Sequence, residues 1–240
     1  MDFKKITRAV LPFALVAVMQ FAAYWGNQWY AETFGNPGSD LSVIFLGLNE
    51  AVPFLPWTVW PYVIAYPFWI LGFFYIGSRD KTNMYRILLM ILVTFTICGL
   101  WYLFFQTDVQ AWRETSGLFA RDPSTFTLSE SLTYWIYAAA GPRNANPSMH
   151  CLMSWLVILG ARLDKKMPKP AKIAIWVLGI AICISTQTLK QHYVIDLITG
   201  IALPEAAFWL LKGSKAVGWL ERTFTKLNVK LGLESLPAAE

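Results

Sequence analysis

The stretch ILLMILVTFTICGLWYLFFQ, residues 87–106, contains no charged side chain. About 20 consecutive apolar residues in an α-helix span the ~30 Å hydrocarbon core of a bilayer. Five further stretches share this apolar character, at about 9–30, 58–77, 148–163, 173–189 and 194–211. The sequence therefore predicts an all-α, polytopic membrane protein built as a bundle of six transmembrane helices. The shortest stretch, 148–163, also suits a buried helix in a protein that spans the membrane elsewhere.

The composition agrees with a membrane protein. Of the 240 residues, 56% are hydrophobic and only 15% are charged, whereas about a quarter of the residues are charged in an ordinary soluble domain. This composition excludes a disordered chain and argues against a single water-soluble globule. The 12 Trp, 10 Tyr and 16 Phe residues suit a protein with two membrane–water interfaces, where aromatic rings accumulate.

Positive charge is distributed unevenly between the two sides of such a bundle. Of the 20 Lys and Arg residues, sixteen lie before the first span, between spans two and three, between spans four and five, or after the last span. The other side carries Arg113, Arg121, Arg143 and Lys190. Because cytoplasmic loops are enriched in Lys and Arg, we predict a cell-membrane protein with both termini in the cytoplasm. The net charge of +5 then reflects topology and anionic lipid, and not a nucleic-acid partner.

The chain divides into a six-span domain, residues 1–213, and a cytoplasmic tail, residues 214–240. Apolar residues recur at helical spacing in the tail, and Arg222, Lys226 and Lys230 line another face. This pattern predicts an amphipathic helix on the inner leaflet, and a frayed polar tail is the alternative.

The two histidines, His150 and His192, both fall at predicted outer ends of spans. Asp196 follows His192 by four residues, so the two side chains share a helix face. A carboxylate there can bond one ring nitrogen and leave the other free as a nucleophile or base. Lys190 lies where an anion would approach. Taken alone, such a His–Asp pair at a membrane edge is more often structural.

The other histidine ends the segment NANPSMH, residues 144–150. Pro147 suits the first turn of a helix, whose free amides form a natural phosphate site. Ser148 adds a hydroxyl, and His150 can donate a proton to a leaving oxygen. The alternative is a simple helix cap beside an interfacial polar residue. Together, the two segments supply the groups that phosphoryl transfer requires without a metal.

These residues carry a family resemblance. Pro147-Ser148-Met149-His150, followed by Ser185-x6-His192-x3-Asp196, resembles the second and third motifs of the type 2 phosphatidic acid phosphatase superfamily. The sequence Lys190-Gln191-His192-Tyr193-x-x-Asp196 is more similar to the branch of inositol-phosphorylceramide-synthase-like and sphingomyelin-synthase-like proteins.

The resemblance implies a role for each motif residue. His192 would attack phosphorus and form a phosphohistidine, and Asp196 would orient its ring. His150 would protonate the leaving group, and Ser148 would help to hold the phosphate.

The sequence departs from the family pattern in two places. Thr186 stands where the third motif usually has Arg, and the first motif, a Lys followed at a distance by Arg-Pro, is not intact. Arg113 is the preferred replacement for the missing phosphate clamp, with Arg143 and Lys190 as alternatives; each would otherwise be a loop cation in water. Asn144 matches an Asn before the Pro-Ser pair in that branch and is expected to shape the loop at the phosphate.

Glu205 is unusual because it follows Pro204 inside the last predicted span. A carboxylate at this depth is costly and usually faces the interior of the bundle. We expect it to have a structural role, such as a bond to a neighbouring helix. Protonation of the carboxylate and contact with the tail of the substrate are the alternatives.

The residues and the resemblance together predict an enzyme that acts on a lipid phosphate or polyprenyl (pyro)phosphate. No cofactor or metal is expected, and the active site is expected on the outer face. A hydrolase and a lipid head-group transferase share this chemistry, so both interpretations stay open. A non-enzymatic transporter or scaffold is a further alternative, because the first motif is degraded. A haem or metal protein is disfavoured, since two histidines without a neighbouring Cys make a poor ligand set.

Overall fold

The computed structural model describes residues 6–234 and is 76% helical. The all-α prediction is confirmed for these residues, which otherwise form loops with two isolated β-bridges. Lys4 and Lys5, which enter the charge argument, and the two ends of the predicted domains, 1–5 and 235–240, lie outside the described residues.

The helices follow one another along the chain with short connections on one side of the bundle and longer ones on the other. The first spanning helix comprises α1 (Val10–Gln20), a π-helical segment (Phe21–Gly26) and α2 (Asn27–Thr33). The remaining helices are α3 (Leu46–Ala51), α4 (Val59–Arg79), α5 (Lys81–Phe104), α6 (Gln110–Glu114), α7 (Leu128–Ala140), α8 (Met149–Leu163), α9 (Lys169–Thr188), α10 (Val194–Leu211) and α11 (Lys215–Lys230).

Five helical stretches within residues 6–234 are long and apolar enough to cross a membrane. They are Val10–Thr33, Pro56–Arg79, Lys81–Phe104, Lys169–Thr188 and Val194–Leu211. They are consistent with a multi-pass membrane protein and coincide with five of the six predicted spans. The sixth, α8, has 15 residues, about 22 Å at 1.5 Å per residue, which is less than the hydrocarbon thickness. The count of six spans and the cytoplasmic placement of the termini stay predictions.

Helix α8 lies at the centre of the bundle. It packs against α4, α5, α9 and α10, and eleven of its 15 residues are buried. One polar contact crosses this core, where the indole nitrogen of Trp69 donates to Ser154 Oγ at 3.0 Å. The interior position of α8 fixes the orientation of the two segments that flank its first turn, which carry the candidate site.

The two ends of the bundle differ in chemistry. Helices α8 and α10 begin and α9 ends at one end, which we term the histidine end because it holds His150 and His192. At the opposite end, Arg79 pairs with Asp164 and Arg8 donates to the backbone oxygen of Gly77 at 2.6 Å.

Helix α11 ties the two ends of the described chain together. It packs against α5 and α1, and its residues Val217 and Leu220 are buried. Asn228 Nδ2 donates to the backbone oxygen of Arg8 at 2.9 Å, and Thr7 Oγ1 donates to that of Leu233 at 2.6 Å.

Glu205 is bonded to a neighbouring helix. Its carboxylate accepts both terminal nitrogens of Arg162, at 2.7 and 2.9 Å, and the indole nitrogen of Trp155 at 2.8 Å. Both partners belong to α8, so Glu205 joins α10 to the central helix. This contact is the structural role expected from the sequence.

Candidate active site

The first half of the site is the Pro-Ser junction, residues 141–148, which leads into α8. Gln106 and Asn144 exchange side-chain and backbone hydrogen bonds at 2.7 Å. Thr107 Oγ1 accepts the backbone N–H groups of Ala145 and Asn146 at 3.0 Å. Gln106 and Thr107, which follow shortly after α5, thus hold the junction in one conformation.

The second half is the His192 junction, residues 189–196, between α9 and α10. The backbone oxygen of Thr186 accepts the N–H groups of Gln191 and His192 at 3.0 and 3.2 Å. Trp112 Nε1 donates to the backbone oxygen of His192 at 3.1 Å. These bonds turn the chain sharply and place His192 just before the first turn of α10.

The two junctions are joined directly. The backbone N–H of Ser148 donates to the backbone oxygen of Asp196 at 3.0 Å. Gly200, one turn further along α10, makes this approach feasible, because a Cβ atom at this position would lie only 2.7 Å from the Ser148 backbone oxygen. The spatial pairing of the two motif segments therefore depends on tight packing of α10 against the start of α8.

His192 is held through its Nδ1 atom, which lies 2.9 Å from the backbone oxygen of Ala145. Asp196 Oδ2 is 3.5 Å from the same nitrogen. Because a carbonyl oxygen can only accept, Nδ1 carries the proton, and Nε2 keeps a lone pair for nucleophilic attack. The sequence predicted Asp196 as the orienting group. In the structure, the Ala145 carbonyl is the nearer acceptor and Asp196 supplies a buried negative charge behind the ring.

Asp196 is fully buried and bonded on both carboxylate oxygens. Oδ1 accepts from Asn146 Nδ2 at 3.0 Å and Oδ2 accepts from the backbone N–H of Tyr193 at 2.8 Å. These bonds satisfy the carboxylate and fix its position, as a buried charge requires. Asp196 thus connects the two junctions, and its carboxylate lies behind the His192 ring.

His150 lies in the first turn of α8 in an aromatic environment. Its ring stacks on Tyr62 with the centroids 4.1 Å apart, and the edges of Trp69 and Tyr66 approach at 5.0 and 5.9 Å. Its Nε2 atom is buried and has no hydrogen-bond partner among residues 6–234, so it is available to a bound group.

Arg113, at the end of α6, is buried beside the histidines. It donates from one terminal nitrogen to the Tyr137 backbone oxygen at 3.0 Å and from the other to Gln191 Oε1. Burial lowers the pKa of the guanidinium. Neighbouring groups that include Tyr24 and Tyr62 act in the opposite direction, and the net effect is a lowered pKa. The guanidinium also lies over the Tyr137 ring, 5.1 Å from its centroid.

Four buried side-chain nitrogens have no hydrogen-bond partner in the described part of the chain. They are Arg113 Nε, Gln191 Nε2, His150 Nε2 and Arg143 Nη1, and the last of them lies 3.0 Å from the Asp108 carboxylate. Arg113 and Gln191 are bonded to each other, and Gln191 directly precedes His192. Buried polar atoms are normally paired. The unpaired N–H groups of Arg113 and Gln191, together with the free ring nitrogen of His150, therefore make a site suited to an anion. Gln191 was missed at the sequence level, because its role depends on contact with Arg113, distant in sequence.

The other predicted phosphate ligands occupy different positions. Arg143 Nη1 lies 3.0 Å from Asp108 Oδ2, and Lys190 Nζ donates to the Val52 backbone oxygen and sits 3.7 Å above the Trp112 ring. Burial lowers the pKa of Lys190 to about 8. Lys190 and Arg143 thus each have a partner of their own, although Arg143 Nη1, like Arg113 Nε, makes no hydrogen bond within the described residues.

Ser148 and Asn144 shape the site. Ser148 is fully buried and its hydroxyl accepts the N–H of Cys151 at 3.4 Å as the cap of α8. Asn144 Nδ2 donates to the backbone oxygen of Tyr24 at 2.7 Å. Thr186 donates its hydroxyl to the backbone oxygen of Cys183 and so replaces the usual Arg with a structural contact.

A cavity of about 240 Å³ opens beside His150. It lies between the first spanning helix and α4, and its walls are almost entirely aromatic and aliphatic. Residues that line it include Phe13, Val16, Gln20, Tyr24, Tyr62, Tyr66, Trp69, Ile70 and His150. An apolar space that begins at a candidate catalytic histidine suits a hydrocarbon chain attached to the reacting group.

No cluster of three or more His, Cys, Asp or Glu side chains with the geometry of a metal site occurs in residues 6–234. Cys98, Cys151 and Cys183 are free and buried. The unpaired buried groups near the histidines include imidazole, guanidinium and amide nitrogens, a set that suits an anion.

Comparison with known proteins finds one family. A sequence model described as the PAP2 superfamily matches residues 43–210, which include both junctions and Arg113. No curated protein and no solved structure matches the chain.

Proposed function

The chain belongs to the PAP2 superfamily, which supports a phosphatase-type membrane enzyme, and on this premise we propose that it transfers the phosphoryl group of a lipid phosphate through a phosphohistidine on His192. The observation that carries the proposal is the set of buried, unpaired nitrogens on Arg113, Gln191 and His150, of which Gln191 bonds Arg113 and directly precedes His192. An anion is the ligand that such donors bind without a further partner.

In the proposed first step, His192 Nε2 attacks phosphorus and the bond between phosphorus and the lipid oxygen breaks. His150 gives its proton to that oxygen, and the lipid alcohol leaves. Arg113 and Gln191 hold the phosphoryl oxygens, whose charge grows in the transition state. The Ala145 carbonyl and Asp196 stabilise the positive charge that develops on the His192 ring.

In the second step, water attacks the phosphohistidine and loses a proton to His150, so inorganic phosphate is released and both histidines return to their initial state. The donors of the site supply the charge stabilisation that a metal would provide, so we propose a metal-independent reaction. We place the histidine end on the outer face of a cell membrane, because the cytoplasmic side is expected to carry most Lys and Arg.

A head-group transferase is the second candidate. The Lys190-Gln191-His192-Tyr193 sequence supports it through its similarity to the inositol-phosphorylceramide-synthase-like branch. A second cavity of about 360 Å³ borders Asn146 and is lined by polar groups that include Ser39, Gln106 and Thr107. In this reaction a polyol or lipid hydroxyl would replace water as the acceptor.

The direct test is phosphate release from a panel of lipid phosphates by detergent-purified protein, with and without EDTA. We expect release by the wild type and by Glu114→Gln, an exposed control on the same helix as Arg113, and no release by His192→Ala. Wild-type turnover in His192→Ala would contradict the mechanism, and loss of activity in EDTA that is restored by a divalent ion would contradict metal independence.

The same protein distinguishes the two candidate functions. Incubation with a radiolabelled lipid phosphate and a polyol or ceramide acceptor separates free phosphate from a labelled exchange product. Phosphate alone supports the hydrolase, and an exchange product that requires His192 supports the transferase.

A further inference from the structure

The cavity beside His150 follows one face of the first spanning helix. Phe13, Val16, Gln20 and Tyr24 recur three or four positions apart, so they share a helix face, and all four line the cavity. The opposite wall is supplied by α4. Among the residues of the first spanning helix that line the cavity, Gln20 alone has a side-chain amide.

The side-chain amide of Gln20 is not fully satisfied, a feature that it shares with Gln28, but Gln20 alone of the two lines the cavity. Its Oε1 atom is buried and accepts no hydrogen bond from the residues that the structure describes. A buried polar atom without a partner is unfavourable in a protein interior and more so in the depth of a membrane. Because Gln20 lines the cavity, a molecule bound there can supply the hydrogen-bond partner that its side-chain amide lacks.

The depth of Gln20 relates it to the phosphate site. Tyr24, four residues further along, accepts a hydrogen bond from Asn144 in the Pro-Ser junction. Four residues of helix correspond to roughly 5–6 Å. Along the helix axis, Gln20 therefore lies about 5–6 Å from Tyr24, the residue whose backbone oxygen contacts the Pro-Ser junction. In a lipid with an acyl ester or amide next to its phosphate, that polar linkage follows the phosphorus by only a few bonds.

We propose that this cavity binds the chain-bearing part of the substrate and that Gln20 selects lipids with an ester or amide linkage beside the phosphate. Polyprenyl phosphates, whose chain has no such group, are disfavoured. An amide N–H of the lipid pairs with Gln20 Oε1, and an ester or amide carbonyl accepts from Gln20 Nε2. This proposal rests on the proposed function, because His192 sets the position of the phosphate.

The location of the cavity beside His150 indicates which part of the substrate it holds. Among the described residues, the cavity is lined by His150 and not by His192. His150 is the proposed proton donor to the leaving oxygen. The chain in the cavity is thus attached to the oxygen that leaves, and Gln20 contacts the leaving group.

The test measures affinity, which does not depend on turnover. Non-hydrolysable phosphonate analogues of four lipids are titrated into purified protein: a diacylglycerol, a ceramide, a dialkyl ether glycerol and a polyprenol. The ether analogue has the shape of the diacyl compound but lacks its carbonyl groups. We expect the ester and amide analogues to bind about tenfold more tightly than the ether and polyprenyl analogues, as one hydrogen bond with the Gln20 amide provides.

Two variants make the test specific. Gln20→Met keeps the size of the side chain, removes the amide and should abolish the preference. Gln28→Met makes the same change further along the same spanning helix. Gln28 donates to Glu32 and does not line the described cavity, so the preference should persist.

Equal binding of the diacyl and dialkyl analogues by the wild type overturns the proposal, even if Gln20→Met does not fold. A preference that survives in Gln20→Met, or no binding of any analogue, overturns it as well. Failure of the proposed function is seen separately, as absence of phosphate release by the wild type.

Discussion

The Nδ1 atom of His192 lies 2.9 Å from the backbone oxygen of Ala145. A backbone carbonyl is not removed by a side-chain substitution, so the ring keeps its orientation when Asp196 loses its charge. We expect Asp196→Asn to lower kcat/KM for phosphate release about 10- to 100-fold. His192→Ala should lower it by at least about 10³-fold, because the nucleophile itself is lost. Equal losses in the two variants would show that the carboxylate, and not the carbonyl, orients the ring.

Arg113 and Gln191 should act on the phosphate as a unit. Arg113→Lys keeps a positive charge but loses the planar set of donors that reaches both Gln191 and an anion. We expect a decrease in kcat/KM of about 10- to 100-fold for Arg113→Lys and about tenfold for Gln191→Leu. The double variant should lose less than the product of the two effects, and fully multiplicative effects would contradict a shared site. Arg143→Lys, at a residue paired with Asp108, is the matched control and should retain most of the activity.

Lys190 should make stability depend on pH. Burial lowers its pKa from 10.5 to about 8 in the folded protein. Between these two values the unfolded chain holds a proton that the folded chain has released, so the contribution of Lys190 to the free energy of unfolding rises with pH. The melting temperature of the wild type relative to Lys190→Met should therefore increase between pH 7 and pH 9.5. A difference that stays constant or falls would contradict the assignment.

The ion pair between Glu205 and Arg162 should contribute to stability and not to catalysis. Glu205→Gln weakens two charge-assisted hydrogen bonds, and we expect a cost of about 1–3 kcal/mol, a decrease in melting temperature of several degrees. Arg162→Met should have a similar effect, and the double variant should cost less than the sum of the two. Turnover per folded molecule should not change. A large loss of kcat with normal stability would instead indicate contact with the substrate.

Gly200 should be sensitive to a single methyl group. In Gly200→Ala the new Cβ atom would lie 2.7 Å from the Ser148 backbone oxygen, which forces α10 away from the start of α8. We expect a cost of about 1–3 kcal/mol in stability together with reduced turnover. Gly47→Ala, a change in α3 where no atom lies within 4 Å of the new Cβ, is the control and should be neutral. Wild-type behaviour of Gly200→Ala would show that the junctions tolerate separation.

The sequence predicted the parts of the site that are encoded locally. Hydropathy located the spanning helices, because burial in lipid requires long apolar runs. The four-residue spacing of His192 and Asp196, and the Pro-Ser pair before His150, identified the two junctions. The prediction for Glu205 also agrees with the structure, since a carboxylate in an apolar helix requires a partner.

Contacts between distant segments could not be predicted in the same way. The Ala145 carbonyl, which orients His192, has no sequence signature because every residue has a carbonyl. Gln191 becomes relevant only through Arg113, which belongs to a different loop. The sequence favoured Arg113 as the phosphate clamp but left Arg143 and Lys190 open as alternatives. Their different environments arise from Asp108 and Val52, which are remote in the chain.

The hydrogen bond between Thr7 and Leu233 makes the described polypeptide an almost closed ring. The order in which the chain connects its helices can then be changed without changing how the helices pack. A circular permutant that joins these two ends through a short linker and opens the chain in the exposed connection at Ser124 would keep every helix in place. It would also put the Pro-Ser and His192 junctions near the new amino terminus, so that they would emerge from the ribosome before the helix that carries Gln20.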